Sequence, residues 1–100
     1  MQQDPIAILG AVGAHFRKIA TAKALMENGA NAGELMRLCG LSDFAARRTM
    51  GTAKRFSATF CAKSAELILE TDYAMKTSLD DSERLLEMLI LQLAQEGRNG

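Results

Sequence analysis

Apolar side chains recur every three or four residues along this chain, which is the spacing of one face of an α-helix. The first such stripe predicts a long helix that begins after the N-cap Asp4, with Pro5 at its first position. The pair Asn28 and Gly29 predicts its end. The inward positions of this helix are Ile6, Leu9, Val12, Phe16, Ile19 and Ala20.

Two short helices are predicted next. Asn31 caps the first of them and Gly40 ends it, whereas Ser42 caps the second and Gly51 either ends or loosens it. The apolar residues of the first are Leu35, Met36, Leu38 and Cys39. The second is expected to face inward through Phe44, Ala45 and either Thr49 or Met50.

Two longer helices complete the chain. One begins near the N-cap Ser57 and ends near Thr77 and Ser78, and the other begins in the acidic segment 80–83 and ends at Gln95, before a frayed tail. The inner stripe of the former is Phe60, Ser64, Leu67, Ile68, Thr71 and Met75. The pattern therefore predicts an all-α fold, a single five-helix bundle.

Glycines interrupt the first predicted helix at Gly10 and Gly13. A glycine inside a helix costs about 1 kcal/mol relative to alanine. We therefore expect a packing reason for this pair, such as a neighbouring helix that crosses closely.

Composition narrows the possible functions. One hundred residues make one domain, and the chain is rich in helix formers and poor in β-branched residues, with Val12 as its one valine. The sequence contains no apolar run long enough for a membrane span, no signal segment and no cluster of metal ligands. We expect Cys39 and Cys61 to be free core thiols in a reducing cytoplasm.

The sequence also gives little support for catalysis. Gly10 to Gly13 is not followed by the lysine and hydroxyl residue of a phosphate-binding loop. His15 is the only histidine and has no nucleophile or acid in its helical register, so we expect it at the surface. We expect no active site, no cofactor and no metal.

Charge is unevenly distributed although the net charge is zero. Residues 41–65 have a net charge of +4, and residues 66–100 have a net charge of −5. A candidate basic patch consists of Arg47, Arg48, Lys54 and Arg55. It is either a face for an acidic neighbour or for passing DNA, or an ordinary solvated surface.

Residues 31–50 have the layout of a helix-turn-helix motif, in which Arg47 and Arg48 would meet phosphates or guanine edges. Some details fit poorly, because Met36 stands where a small residue is usual and Asp43 would repel phosphate. The chain also lacks the basic surplus that dominates DNA affinity. A DNA-binding module is therefore the alternative function.

The fifth predicted helix carries more apolar residues than one buried face needs. Seven of the nine positions from Leu85 to Leu93 are apolar. Leu86, Leu89, Ile90 and Leu93 share one face, whereas Met88 and Leu91 project from nearly the opposite face. Met88 and Leu91 therefore either contact another subunit or are covered by other helices of this domain.

Lys23 lies near the centre of the apolar stripe of the first helix. A buried ammonium group needs a partner, or its stem must extend to solvent. A structural ion pair with Asp72 is one possibility, and a solvent-exposed Lys23 is the other. Asp72 can also pair with Lys76, four residues later on the same helix.

Short phrases along this helical frame resemble one family. They are Asp4-Pro5-Ile6, Ile8-Leu9-Gly10, Phe16-Arg17-Lys18-Ile19, Ala22-Lys23, Gly40-Leu41, Arg55-Phe56-Ser57, Asp72 and Lys76-Thr77. In this order and spacing they resemble the C-terminal domain of the delta subunit of bacterial DNA polymerase III, part of the clamp loader. Gly13, His15 and Ser78 depart from the usual pattern, which limits what can be transferred to surface contacts.

The resemblance implies a helical collar domain that joins matching domains of the ATPase subunits and of delta prime. The complete subunit would act in placing the sliding clamp on primed DNA, as a non-catalytic part of the cytoplasmic polymerase holoenzyme. Contacts with clamp and DNA would belong to the full-length subunit or the complex. We expect residues 1–100 to be a fragment of such a subunit, with Met1 introduced where the fragment begins.

Overall fold

The computed structural model describes residues 4–99, and this part of the chain is built from five α-helices. They are α1 (Pro5–Glu27), α2 (Ala32–Cys39), α3 (Asp43–Arg55), α4 (Ala58–Thr77) and α5 (Ser82–Asn99). No strand occurs within the described residues. The predicted all-α class and the five-helix bundle are confirmed.

The helices begin where the sequence places their caps. The side chain of Asp4 accepts the backbone N–H of Ile6 at 3.0 Å, and the hydroxyl groups of Ser42 and Ser57 accept N–H groups in the first turns of α3 and α4. Asn31 and Glu34 form a capping box, in which each side chain accepts the other residue's backbone N–H. Each cap satisfies a donor that the helix itself leaves unpaired.

Left-handed glycines follow the first two helices. Gly29 has φ 88° and Gly40 has φ 66°, a region that residues with a Cβ rarely adopt. After α1, the N–H of Ala30 donates to the carbonyl of Leu25, which turns the chain back toward α2. Gly51, in contrast, neither ends nor visibly distorts α3, which continues to Arg55.

The end of the chain differs from the prediction. Helix α5 continues to Asn99 rather than ending at Gln95, so residues 96–99 extend the helix. The predicted status of Met1 and the end of the predicted frayed tail at Gly100 lie outside the described residues.

Two buried clusters hold the helices together, and α1 takes part in both. The leucine cluster joins the first half of α1 to α4 and α5, and consists of Leu9, Leu67, Leu86, Leu89 and Leu93. The alanine cluster joins the second half of α1 to α2 and α3, and consists of Ile19, Ala22, Leu35, Ala46 and Ala53. The long helix α1 is thus shared between two packing units.

Three aromatic rings connect the two clusters. Phe16 stacks against Phe56 with ring centroids 6.2 Å apart, and both rings meet Phe60 edge-on at 6.0 and 4.7 Å. Phe16 packs against the leucine cluster and Phe56 against the alanine cluster. Helices α1 and α4 run antiparallel, because Gly13 lies beside Ile68 while Phe16, further along α1, lies beside Phe60, which comes earlier on α4.

Several predicted inward positions are corrected. Ile6 and Ile90 are about half exposed, and Phe44 is 72% exposed, with the Arg48 guanidinium 5.5 Å from its ring centroid. Helix α3 is buried through Ala46 and Ala53 instead, which are seven residues apart and lie on one face. The sequence-based assignment followed the largest side chain, whereas the packing of α3 uses the smallest ones.

Candidate subunit interfaces

Helix α5 presents an apolar ridge to solvent, formed by Met88 and Leu91. Its opposite side is buried in the leucine cluster, whereas Met88 is 45% and Leu91 70% exposed. Helices of this domain therefore do not cover the ridge among the described residues. Contact of the ridge with a second subunit stays a prediction.

The basic patch divides into two stripes on α3. Arg47 and Lys54 are seven residues apart and line a shallow depression together with the start of α2. Arg48 and Arg55 lie about 100° further around the helix. All four side chains are exposed, but Arg47 is partly neutralised, because its Nε donates to Asp43 Oδ1 at 3.0 Å.

The predicted Lys23–Asp72 ion pair is corrected. Lys23 Nζ lies 3.5 Å from the carbonyl oxygen of Ala53, near the C-terminal end of α3, where the helix dipole favours a cation. Asp72 Oδ2 instead accepts from Lys76 Nζ at 3.0 Å, as the four-residue spacing predicts. The antiparallel arrangement explains this, because Asp72 lies about 18 Å beyond Phe60, away from the end of α1 that carries Lys23.

A groove between α1 and α4 was missed by sequence reasoning. It has a volume of about 530 Å³ and mostly apolar walls. Gly10, Gly13 and Ala20 line its α1 side, and Ala65, Ile68 and Leu69 line its α4 side. The pair of glycines was the available signal. A Cβ at Gly13 would lie 3.5 Å from Ile68 Cγ2, so α4 is the neighbouring helix expected there, whereas a Cβ at Gly10 would meet nothing within 4 Å and Gly10 leaves the groove open.

Cys61 lines the same groove. Burial raises the pKa of the Cys61 thiol, because the apolar surroundings disfavour the thiolate; the nearby Lys23 ammonium lowers this pKa and the Glu27 carboxylate raises it. Both Cys39 and Cys61 are unpaired and half-buried rather than fully in the core. His15 is exposed, as predicted, with its ring edge-on to Phe16 at 5.6 Å.

Two absences concern only residues 4–99. No helix there combines the length and apolar character needed to cross a membrane. No group of three or more histidine, cysteine or acidic side chains is positioned there to hold a metal ion.

Comparisons with known proteins agree with one another. A family model described as "DNA polymerase III delta subunit, C-terminal domain" matches residues 1–93. The chain is 30% identical over 91 residues to DNA polymerase III subunit delta of Bacillus subtilis (strain 168). The aligned region covers 91% of this chain and 26% of that protein. The chain thus spans about a quarter of the length of this relative.

A solved structure gives the same result. The Bacillus subtilis DNA clamp loader delta protein (YqeN) superposes with a TM-score of 0.86 at 29% identity, over 94% of this chain and 28% of that one. These matches do not favour the helix-turn-helix alternative for residues 31–50. Within α2 and α3, Asp43 at the start of the second helix and the exposed Phe44 also fit a DNA groove poorly.

Proposed function

Because this chain belongs to the family of C-terminal domains of the DNA polymerase III delta subunit, a component of the clamp loader, we propose that it is an assembly domain with no catalytic role. The proposed partners are the clamp-loader ATPase subunits and delta prime, joined through a collar of similar domains. Loading of the sliding clamp on primed DNA, in the cytoplasm, would be the activity of the complete assembly.

One observation carries this proposal, namely the exposed ridge of Met88 and Leu91 on α5. Apolar side chains at the centre of an interface contribute much of its affinity, whereas exposed polar positions contribute little. The ridge lies between polar and charged neighbours on the same face, Arg84 and Gln95, which are spaced to form a polar rim. This is the arrangement expected of a small protein–protein contact.

The basic patch supports a weaker, secondary contact. Arg48 and Arg55 form an exposed stripe with no carboxylate partner among the described residues. An acidic surface of a neighbouring subunit or passing DNA would fit it. Such a contact would weaken as salt screens the charges, whereas contact through the α5 ridge would persist.

Light scattering across a size-exclusion column tests the proposal with the purified domain and the host's clamp-loader ATPase subunit. We expect the two proteins to co-elute as a complex, and we expect the Met88→Asp/Leu91→Asp double variant to lose this complex. The complex of the unaltered domain should survive about 0.5 M salt, because an apolar contact is little screened. The matched control is Gln92→Asp/Ala94→Asp, which adds the same charge to exposed α5 positions outside the ridge. A complex that both double variants retain would remove the ridge from the interface.

A further inference from the structure

The groove between α1 and α4 is an open apolar surface on the opposite side of these helices from α5. Its lining includes no residue of α5. Ile8 and Val12 on α1 and Leu67 on α4 pack in the leucine cluster with α5 and do not line the groove, whereas Leu9 contributes to both. Helix α5 and the groove therefore occupy the two sides of the α1–α4 pair. The groove and the α5 ridge therefore share no residue.

The dimensions of the groove suit a helix. Its α1 wall extends from Ile6 to Ala20, about 21 Å at 1.5 Å per residue, which matches some 14 residues of a helix lying alongside. Gly10 presents bare backbone along this wall, and a Cβ there would meet no atom within 4 Å. Small residues of this kind let the backbones of two helices approach closely.

Apolar side chains that line the groove stay largely exposed in the described chain. Ile6 is 52% exposed on the α1 rim and Leu69 is 70% exposed on the α4 rim. Together with the apolar walls they form a contiguous surface rather than scattered single residues, and such surfaces mark interaction sites. An apolar stripe on the incoming element would cover them.

The charges at the groove specify the occupant further. Asp72 and Lys76 neutralise each other at one end through a 3.0 Å ion pair. Arg17, toward the other end, makes no ion pair with any described residue. The charged residues that line the groove thus leave one guanidinium uncompensated, and a carboxylate is its natural bidentate partner.

We propose that this groove is a second subunit-docking surface, which takes an amphipathic helix of a neighbouring clamp-loader subunit, with an aliphatic stripe against Ile6 and Leu69 and a carboxylate on Arg17. This inference rests on the proposed function. It adds that the domain joins two neighbours through different surfaces, the α5 ridge for one and the groove for the other.

Binding to two purified probes tests this, the host's clamp-loader ATPase subunit and its delta prime subunit, each mixed separately with the domain. Leu69→Asp is expected to weaken binding to delta prime about tenfold or more, and Met88→Asp/Leu91→Asp to weaken binding to the ATPase subunit. Leu79→Asp is the matched control, since Leu79 is fully exposed between α4 and α5 and lies outside both surfaces.

Two further variants separate docking from folding. A Cβ at Gly10 would meet no atom within 4 Å, and Gly10→Leu extends a side chain from there into the groove. Because the change also replaces a glycine in a helix, we expect an equal or higher thermal midpoint together with loss of groove binding. Arg17→Glu should weaken the same complex, whereas Lys18→Glu, exposed on another side of α1, should not.

The rate of alkylation of Cys61, measured by mass spectrometry of the peptide that contains it, gives an independent readout. A helix in the groove should slow modification of Cys61 several-fold, while it leaves Cys39 on α2 unchanged. Unchanged binding of Leu69→Asp and Gly10→Leu to both probes would overturn the groove proposal and leave the proposed function intact. Failure of the unaltered domain to bind either probe would overturn both.

Discussion

The two buried clusters of this domain hold helices together with side chains of very different size. In the leucine cluster, long side chains from α1, α4 and α5 fill the space between the helices. In the alanine cluster, three of the five buried residues are alanines, so α3 lies close against α1. This proximity brings the Ala53 carbonyl within 3.5 Å of the Lys23 ammonium.

The difference determines how each cluster can fail. A leucine core is sensitive to lost volume, because removal of methyl groups leaves a cavity that neighbours only partly fill. A close-packed alanine contact is sensitive to added volume, because any larger side chain must push two backbones apart. The four predictions below test this contrast, from the largest expected effect to the smallest.

Leu89→Ala should be the most destabilising of the four changes. Leu89 is fully buried at the centre of the leucine cluster, and leucine-to-alanine changes in cores cost about 2–5 kcal/mol. Urea unfolding followed by circular dichroism measures the loss. Leu91→Ala, on the exposed side of the same helix, is the control, and an equal loss there would show that the cluster is not the source.

Ala53→Leu should destabilise the domain by about 1–3 kcal/mol through overpacking between α1 and α3. Ala53 is fully buried in the alanine cluster. The same substitution at the exposed Ala62 on α4 should leave the urea midpoint nearly unchanged. If Ala53→Leu were neutral, the alanine cluster would have to contain more free space than its packing implies.

Asn31→Ala should cost about 1 kcal/mol, since it removes the capping box that starts α2. The effect should appear as a lower urea midpoint with an unchanged slope. Asn31→Ser retains a side-chain acceptor and should recover most of the stability. If Asn31→Ala left the urea midpoint unchanged, the packing of Leu35 alone would hold α2 in place.

Asp72→Asn should have the smallest effect, a few tenths of a kcal/mol at low salt and none at high salt, because the Lys76 pair is largely exposed. A double-mutant cycle with Lys23→Met should give no coupling free energy, since Lys23 contacts the Ala53 carbonyl instead. Coupling of 0.5 kcal/mol or more would restore the ion pair that the sequence suggested.

Local signals made most of the fold predictable. Helix starts followed from Asp4, Asn31, Ser42 and Ser57, because a cap acts within its own first turn. The assignment to the delta-subunit family followed from short sequence phrases, and the structure shows what residues of two of these phrases contact. Phe16 and Phe56, from two of these phrases, stack on each other where the two clusters meet.

The surfaces were harder to predict, because they depend on which helices become neighbours. Phe44 was expected inside but lies outside, since α3 approaches α1 through its alanines. The α1–α4 groove could not be inferred from Gly10 and Gly13 alone, because the same glycines would also suit a close crossing within the domain. Lys23 and Asp72 looked compatible in sequence, but the antiparallel arrangement separates them along the bundle.

The participation of α1 in both clusters has a consequence for how the domain opens. Its 23 residues form one continuous hydrogen-bonded rod, so neither cluster can come apart without exposing part of the same helix. Local unfolding that separates one cluster should therefore also destabilise the other cluster. In native-state hydrogen exchange, the central amides of α1 should be the last to exchange, and only through global unfolding.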